Sequence, residues 1–444
     1  MAIMRPRPLK VAVLVELLAG PEAGGHVKCW QRFADAARPF GDAIDLTVFV
    51  LGRTAGRDAV APNVHFERLK PVLATDRIPG LPRSLPMTDL APHHPALARR
   101  LADFDVLHAT SAFAFARTAR RVAKRRRIPL VMSIHDNLPA LTRAYMRQMI
   151  GQRFGQAWPA RLLLDRLGVD RMAARAAGRR VGRIAAASDW VLASRDDDVA
   201  GFGLPSGTTR LSRLRRGVDK ILFNPAPRDR AWLAREFGVP EGPPLVLFVG
   251  RIDDSKNIMR LVAAARRLIA DGQSLHVLAI GAGAREADVR RELGANVTLP
   301  GVLPHSALAP VYASADLFVF PSETEIVPNV VLEARAAGLP VVVSARDNGA
   351  ALVERPGHDG ATVGDSDPAS WAAAIRSLLD DPLRRAAMGA EARRRIVRDW
   401  PTWGEVLTGD LLPVWQRVAG ARRRATHRSF MPTPVLQSPG RGLL

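Results

Sequence analysis

The sequence predicts an α/β fold built from two units of parallel strands and crossover helices. The chain has 444 residues, more than one hydrophobic core usually organises, so two domains of about 200 residues are expected. Short apolar runs alternate with helical patterns, as in parallel sheets with crossover helices. This alternation restarts after "RRGVDKILFNPAPRD". We therefore expect a Rossmann-like N-terminal domain at residues 1–217 and a second at residues 218–398.

The first half contains four apolar runs that predict strands. "KVAVLVEL", with Val11 to Val15 buried, leads through the Gly-rich turn "AGPEAGGHV" into the helical "KCWQRFADAARPF". The later runs are "IDLTVFVLG", "FDVLHAT" and "IPLVMSIHD", with an Arg-rich helix between the last two. A Pro-rich connector spans residues 78–95. It carries His93 and His94, which have no partner at metal-ligand spacing, so we expect both to be exposed.

The second half repeats the pattern and ends in a helix and a basic tail. Its predicted strands are "LVLFVG", "LHVLAIGAGA", "NVTLPG", "ADLFVFPSETE" and "PVVVSA", each with its exit loop. Residues 399–420 carry apolar side chains at helical spacing. The tail, residues 421–444, is basic, contains proline and lacks periodicity, so we expect it to be disordered.

The charge of the chain indicates anionic partners. The net charge is +21 and the pI about 11.4, which attracts nucleotide phosphates and anionic lipid. Basic residues are densest in "ARTARRVAKRRR" and "DRMAARAAGRRVGR". These runs fit either solvated helix faces or a membrane-facing surface, where each basic residue contributes about 1 kcal/mol. Nucleic-acid binding is not expected, since aromatic residues are 6% of the chain and no reader motif occurs.

The sequence favours a cytoplasmic protein that can associate peripherally with the membrane. The single cysteine, Cys29, cannot form an intramolecular disulfide, which fits a reducing compartment. Glu16 interrupts the first apolar run, which we interpret as a strand and not as a signal peptide. No apolar run reaches the roughly 18 residues that a transmembrane helix needs.

Two loops carry candidate phosphate-binding groups. In open parallel sheets, ligands bind outside the carboxyl ends of the strands. Gly25 follows the first strand and opens a helix, which brings backbone N–H groups close to an anion; an ordinary turn is the alternative. Arg251 and Lys256 follow the strand "LVLFVG" five positions apart, so both can reach one phosphate group. The alternative is a pair of solvated surface charges.

Glu325 and Glu333 lie eight positions apart in "ETEIVPNVVLEA". Pro328 suits the first position of a helix, which would make Glu325 an acid at the helix N-terminus. Glu333 lies within the apolar helix, and a buried carboxylate costs several kcal/mol unless it is satisfied. Ligand hydroxyls would satisfy it. We expect no metal site; Asp196, Asp197 and Asp198 are interpreted as acids that begin a helix.

These motifs together resemble a known enzyme family. "FPSETEIVPNVVLEARAAGLPVVVS" resembles the E-x7-E signature of retaining GT-B glycosyltransferases of family 4, group 1, which includes phosphatidylinositol mannosyltransferases and glycolipid synthases. The Gly-Gly loop, "SIHDNLP", "RRGVDKILFNP", "VGRIDDSKN", "IGAGARE" and "YASADLFVFPSETE" follow in family order. The resemblance implies two Rossmann-like domains facing each other across a deep cleft. It also implies that the helix at residues 399–420 packs back on the N-terminal domain.

The resemblance assigns roles to specific residues, with a nucleotide-sugar donor on the C-terminal domain and an acceptor on the N-terminal one. It implies that Glu333 binds the donor ribose and that Arg251 and Lys256 hold the diphosphate. The transferred sugar would contact Glu325 and lie near His135. The remaining implied donor-binding residues are Gly25, Gly281, Gly283, Asn329 and Val330. Such enzymes retain anomeric configuration, need no metal or cofactor, and let the leaving phosphate accept the acceptor proton.

The expected function is transfer of a hexose from a UDP- or GDP-sugar to a lipid acceptor at the cytosolic face of the membrane. The alternatives are a polysaccharide or soluble acceptor, a non-catalytic nucleotide-sugar-binding protein, or a GT-B epimerase. Two loops depart from the family pattern: Ile326 to Pro328 replace a segment that commonly holds glycine, and Asp347 with Asn348 replace a glycine pair. We expect altered donor or acceptor choice from these changes, and not loss of activity.

Overall fold

Two separate β-sheets organise the chain. The computed structural model describes residues 7–18, 20, 25–78, 87–135, 137–155, 157–194, 210–325, 327–346 and 349–429. The first sheet has the strand order β3-β4-β2-β1-β5-β6-β7-β8, and every neighbouring pair is parallel except β3 with β4. Its strands are β1 (Leu9–Leu18), β2 (Ile44–Leu51), β3 (Gly56–Ala61), β4 (Val64–Leu69), β5 (Val106–Ala109), β6 (Leu130–Ser133), β7 (Trp190–Ala193) and β8 (Leu211–Arg213).

The second sheet is entirely parallel. Its order is β11-β10-β9-β12-β13-β14. The strands are β9 (Leu245–Val249), β10 (His276–Ile280), β11 (Val297–Gly301), β12 (Leu317–Phe320), β13 (Val341–Ser344) and β14 (Ala361–Val363). The central strands β9, β10, β12 and β13 are buried along their whole length. Continuous apolar runs are therefore needed, because helices cover both faces of such a sheet.

Helices connect the strands and cover the sheets. In the first half they are α1 (Gly25–Ala37), α2 (Pro95–Arg100), α3 (Ala114–Arg126), α4 (Leu138–Phe154), α5 (Trp158–Arg161) and α6 (Val169–Ala186). In the second half they are α7 (Arg230–Phe237), α8 (Ile258–Ala270), α9 (Glu286–Leu293), α10 (His305–Ser314), α11 (Asn329–Ala336), α12 (Pro368–Leu379), α13 (Pro382–Asp399), α14 (Trp403–Val406) and α15 (Leu412–Ser429). A π turn, Leu162–Arg166, joins α5 to α6.

Polar side chains fix several helix starts. Asp229, Asp367 and Asp381 each accept a hydrogen bond from a backbone N–H of the first turn of α7, α12 and α13. At α14, Thr402 and Glu405 form a reciprocal capping box. Each such cap satisfies an N–H group that has no partner within the helix.

The strands predicted from apolar runs all form, and two other expectations need correction. The edge hairpin β3–β4 and the short strands β7, β8 and β14 were not predicted from the sequence. His94 is buried, because it caps α2 and its Nε2 lies 3.0 Å from the carbonyl oxygen of Lys70. The expected disorder from residue 421 onward is wrong as far as Ser429, since α15 continues to that residue; residues 430–444 lie outside the described residues.

The last helices pack on the first sheet. Trp415 is fully buried, and its indole N–H donates to Nδ1 of His108 on β5 at 3.2 Å. Leu411 and Val414 join the cluster formed by β1, α1 and β2. Arg215, in the segment after β8, is paired with Asp410 at 2.6 Å. The chain therefore returns to its N-terminal half after completing the second sheet.

Within the described part of the chain, no helix combines the length and apolarity that crossing a bilayer requires.

A buried ion pair stabilises the second half. Arg335 on α11 lies 2.9 Å from Asp359, and both side chains are almost fully buried. Asp359 also accepts hydrogen bonds from the backbone N–H groups of Glu354 and Arg355. Removing one partner of such a pair leaves an uncompensated buried charge.

We predict that Asp359→Ala lowers the free energy of unfolding of this half by about 3–5 kcal/mol, because Arg335 keeps its charge without a partner. The measurement is the denaturant midpoint. Asp380→Ala, at an exposed acid, is the control and should change stability by less than about 0.5 kcal/mol. Equal midpoints for the two variants would refute this account of the pair.

Candidate active site

The loops that follow β9 and β12 are joined to each other. The side-chain amide of Asn257 donates to the carbonyl oxygen of Pro321 at 3.1 Å, and the hydroxyl of Thr324 donates to that of Ser255 at 3.1 Å. Asn257 has φ +53°, a left-handed conformation that asparagine tolerates better than most residues. α8 begins at the next residue. The joined loops and the N-terminus of α8 thus form one edge at the carboxyl ends of the strands, where anions are favoured.

Two ion pairs occupy this edge. Lys256 is paired with Glu325, and Ser322 also donates to Glu325 at 3.4 Å. Arg260, in the first turn of α8, is paired with Glu323. The structure therefore brings together the predicted phosphate-binding lysine and the predicted sugar-binding acid. Arg260 and Glu323 were not predicted as site residues, because nothing in their spacing indicates that they meet.

Arg251 contacts both halves of the chain. Its guanidinium donates to the hydroxyl of Ser255 at 2.7 Å, lies 3.5 Å from Asp253, and donates to the phenol of Tyr145 at 3.4 Å. Tyr145 belongs to α4 in the first half. Nothing in the sequence around Tyr145 predicts this contact. Arg251 therefore lies where the two sheets' ligand-facing edges approach each other.

Glu333 is held by two side chains of α10. The phenol of Tyr312 donates to Oε2, and Nε2 of His305 lies near Oε1, each at 3.2 Å. Burial raises the pKa of Tyr312, and the charge of Glu333 raises it further, so the phenol remains a donor. Protein side chains, and not ligand hydroxyls alone, therefore satisfy part of the Glu333 carboxylate. The carboxylate is oriented by the protein and stays 15% exposed.

The turn before α11 differs from the expected geometry. Pro328 precedes the first helical residue and occupies the N-cap position, whereas we predicted the first helical position. Glu325 lies four residues before the helix and does not cap it. Asn329 opens α11, and its Oδ1 is buried and accepts no hydrogen bond from the described residues. Val330 packs partly against the core of the second half, and Ile326 lies outside the described residues.

Gly281 and Gly283 bring the loop after β10 against the loop that carries Arg251. A Cβ atom on Gly281 would lie 1.8 Å from the carbonyl oxygen of Gly250, and one on Gly283 would lie 2.3 Å from that of Ile252. The N–H of Gly283 donates to Glu286 at 2.7 Å. Close backbone packing is therefore what the structure assigns to these two glycines.

His135 lies in a buried polar cluster. Its ring stacks on His26 at 4.4 Å. Nδ1 accepts from Arg216 at 2.8 Å, which leaves the proton on Nε2, 2.7 Å from the hydroxyl of Ser133. Burial lowers the pKa of His135 far below its usual value, and the charges of His26 and Arg216 add to this. The imidazole is therefore neutral, and a hydrogen bond to a sugar would have to replace one of these contacts.

The start of α1 faces the second half. Gly25 is exposed at the first helical position. Lys28, one turn later, lies close enough to Glu333 for the carboxylate to act on its pKa; burial lowers that pKa and Glu333 opposes the shift. Lys28 was not predicted as a site residue. It is a half-buried cation for which no ion pair is found among the described residues.

The metal-site alternative gains no support from geometry. Among the residues that the structure describes, no group of three or more His, Cys, Asp or Glu side chains is placed to hold a metal ion. Asp196, Asp197 and Asp198 lie outside the described residues, as do Asp347 and Asn348 of the second divergent loop.

Comparison with known proteins identifies the enzyme class. Residues 229–395 match the family model "Glycosyl transferases group 1", and residues 23–220 match "Glycosyltransferase Family 4". The D-inositol 3-phosphate glycosyltransferase 1 of Catenulispora acidiphila is 33% identical over 67% of this chain and 69% of its own length. A GDP-mannose-dependent mannosyltransferase of Corynebacterium glutamicum, acting on monoacylated phosphatidylinositol monomannoside, is 32% identical over 45% of this chain and 55% of its own.

The fold has solved counterparts. Anabaena HepE, crystallised in complex with UDP and glucose, superposes with a TM-score of 0.64 at 17% identity, covering 93% of this chain and 99% of that one. The predicted GT-B fold is confirmed. The predicted family and the prediction of a hexosyltransferase enzyme are confirmed as well.

We predict that Gly281→Ala destabilises the fold by about 3 kcal/mol, since the new Cβ overlaps a backbone carbonyl that cannot rotate away. The thermal midpoint measures the effect. Gly242→Ala, where a Cβ meets nothing within 4 Å, should leave the midpoint unchanged. A wild-type midpoint for Gly281→Ala would show that the loops after β9 and β10 are not packed in this way.

Proposed function

Because the chain belongs to the family 4, group 1 glycosyltransferases, we propose that it is a retaining enzyme that moves a hexose from a UDP- or GDP-sugar to a lipid acceptor at the cytosolic membrane face. The observation that carries the proposal is the meeting of Arg251, Lys256 and Glu325 beside the N-terminus of α8, with Glu333 held ready by Tyr312. Cations that can bind a diphosphate and carboxylates that can accept hydrogen bonds from hydroxyls lie near the carboxyl ends of the strands of the second sheet.

The donor diphosphate would enter by exchanging ion-pair partners. In the structure Lys256 is paired with Glu325. A diphosphate carries more charge than one carboxylate and would draw Lys256 and Arg251 to itself. Glu325 would then be released from the lysine and become an acceptor for a hydroxyl of the transferred sugar. The resting ion pair thus keeps both groups in place without an unpaired charge.

Glu333 is suited to the donor ribose. Tyr312 and His305 each use one lone pair of the carboxylate, and carboxylate oxygens retain further acceptor capacity. Two ribose hydroxyls can donate to these positions. The carboxylate is fixed before the ligand arrives, which lowers the entropy cost of binding.

The proposed reaction does not need a side chain that acts as a general base. Arg251 and Lys256 would stabilise the charge that develops on the leaving diphosphate. An oxygen of the leaving diphosphate would accept the proton of the acceptor hydroxyl. Because the acceptor attacks from the same face of the sugar as the leaving group departs, the anomeric configuration is retained. A neutral His135 with both ring nitrogens engaged is compatible with this route, since no side chain needs to remove the proton.

The lipid acceptor is supported by a relative and by surface charge. The Corynebacterium glutamicum protein is named for a phosphatidylinositol-based acceptor. α3 and α6, the two basic runs of the first half, contact each other and together present one basic region. The Catenulispora acidiphila protein is instead named for D-inositol 3-phosphate, so a soluble acceptor is the second candidate.

We predict that Glu325→Gln lowers turnover about 100-fold or more while strengthening binding of UDP or GDP about three- to tenfold. The transition state loses a contact to the sugar, whereas Lys256 loses a competing carboxylate. Thermal-shift titrations with UDP, GDP and ADP measure binding, and release of nucleotide from the matching sugar donors measures turnover. Lys256→Ala should abolish binding, and Lys70→Ala, at an exposed lysine, should not.

Two results would contradict the proposal. Wild-type turnover in Glu325→Gln would remove that residue from the reaction. Absence of any nucleotide-induced shift in the folded wild type would favour a non-catalytic protein.

We further predict that Lys28→Met raises the KM for the donor about tenfold and leaves the thermal midpoint of the free protein unchanged. The variant removes a half-buried cation that faces the ribose-binding carboxylate from the opposite half. Lys70→Met serves as the control for loss of one positive charge. A donor KM equal to that of the control would place Lys28 outside the donor site.

A further inference from the structure

Large apolar side chains are exposed in one short region of the first half. Among the described residues, half of the exposed large apolar side chains lie between Phe154 and Met172. They include Trp158, 74% exposed, and Leu167, 54% exposed. We use the name α4–α6 patch for the set formed by Phe154, Trp158, Leu162, Leu167 and Met172. Apolar groups grouped on a surface in this way usually mark an interaction site.

The local backbone places three residues of the patch on one side of a helical segment. Trp158 and Leu162 are four positions apart and share a helix face. A π turn follows, in which the N–H of Leu167 donates to the carbonyl oxygen of Leu162 at 2.9 Å. This wider turn brings Leu167 one turn after Leu162, although they are five positions apart. The π turn contacts both α5 and α6, and α4 contacts these two helices as well, so the patch residues belong to one packed group of helices.

Arginines surround the patch. Five exposed arginines lie within residues 153–175: Arg153, Arg161, Arg166, Arg171 and Arg175. Of the two acids in this segment, Asp165 is exposed. The other, Asp170, is buried between Arg143 and Arg147, at 3.0 and 2.7 Å. The region therefore combines exposed apolar groups with a strong excess of positive charge.

We propose that the α4–α6 patch docks the enzyme on an anionic lipid bilayer, with Trp158 and Leu167 entering the boundary between headgroups and acyl chains. A tryptophan among leucines with a basic rim is the composition of interfacial membrane-binding helices. A second copy of this chain fits poorly, since an isologous contact would place these arginines against one another. The centre of a protein–protein interface is also depleted of charge.

The patch is connected to the active site by a single helix. Tyr145, which contacts Arg251, and Phe154, which begins the patch, both belong to α4. Nine residues of helix separate them by about 13 Å. A bilayer on the patch would thus lie within reach of the cleft, so that a lipid acceptor could enter while remaining in the membrane. The inference rests on the proposed lipid acceptor.

Vesicle flotation of the full-length protein tests the docking surface. The wild type should bind vesicles of phosphatidylcholine mixed with phosphatidylglycerol, but not vesicles that contain only phosphatidylcholine. Binding to the mixed vesicles should weaken as the salt concentration increases. Trp158→Ser/Leu167→Ser should weaken partition about tenfold or more, because both apolar contacts are lost. The matched control is Ile221→Ser/Leu383→Ser, at two apolar side chains more exposed than these and outside the patch; it should bind like the wild type.

Fluorescence quenching tests insertion directly. Brominated acyl chains should quench tryptophan emission of the bound wild type. Trp158→Phe, which keeps an apolar ring, should still bind but should lose most of this quenching. Unchanged quenching in Trp158→Phe would show that Trp158 does not enter the bilayer.

Two further outcomes would overturn the proposal. One is equal vesicle binding by the patch variant and the control. The other is a wild-type dimer that the patch variant converts to a monomer without a change in vesicle binding, which would assign the patch to a second copy of the chain. Nucleotide titration separates this proposal from the function, since the patch variant should bind nucleotide like the wild type. Vesicle binding without sugar transfer would contradict the proposed function alone.

Discussion

Parallel pairing of short, fully buried strands is the constraint on which the rest of the structure depends. A parallel strand cannot follow its neighbour directly, so each pair needs a crossover and the loops after the strands collect at one edge. The two sheets do this independently, and each edge carries polar loops. Arg251 and Tyr145 meet between these edges. The location of the candidate active site is therefore a consequence of strand direction.

Opposite charges hold the site together before a ligand binds. Lys256 with Glu325, and Arg260 with Glu323, pair residues of the loop and helix after β9 with residues of the loop after β12. Partly buried charges are costly when unpaired, so the two loops stabilise each other. In the proposed mechanism an anionic donor takes the place of Glu325 beside Lys256, so that the lysine keeps a partner throughout. The proposed donor site can therefore be highly charged while the free enzyme stays folded.

In the N-terminal half, buried histidines are held by hydrogen bonds. His135 is stacked, bonded on both nitrogens and kept neutral by burial. Arg216, which bonds it, lies in the segment that leads to the second sheet, and Trp415 of the returning helix bonds His108 of β5. These contacts connect the interior of the first half to both segments that link it to the second. Each connecting segment is therefore fixed to the first half by a hydrogen bond to a buried histidine.

The sequence by itself determined the two-unit α/β architecture, most of the strands that the structure describes and the motif order, because apolar periodicity and turn residues act over a few neighbouring positions. It also placed Arg251, Lys256, Glu325 and Glu333 as candidates, since these follow strands or lie in a buried helix. Only the tertiary structure showed that Lys256 meets Glu325, that Tyr312 and His305 orient Glu333, and that Lys28 of the other half lies near enough for Glu333 to influence its pKa. Such contacts join residues far apart in the chain, and their geometry is set by how the sheets, loops and returning helix pack, which local patterns do not encode.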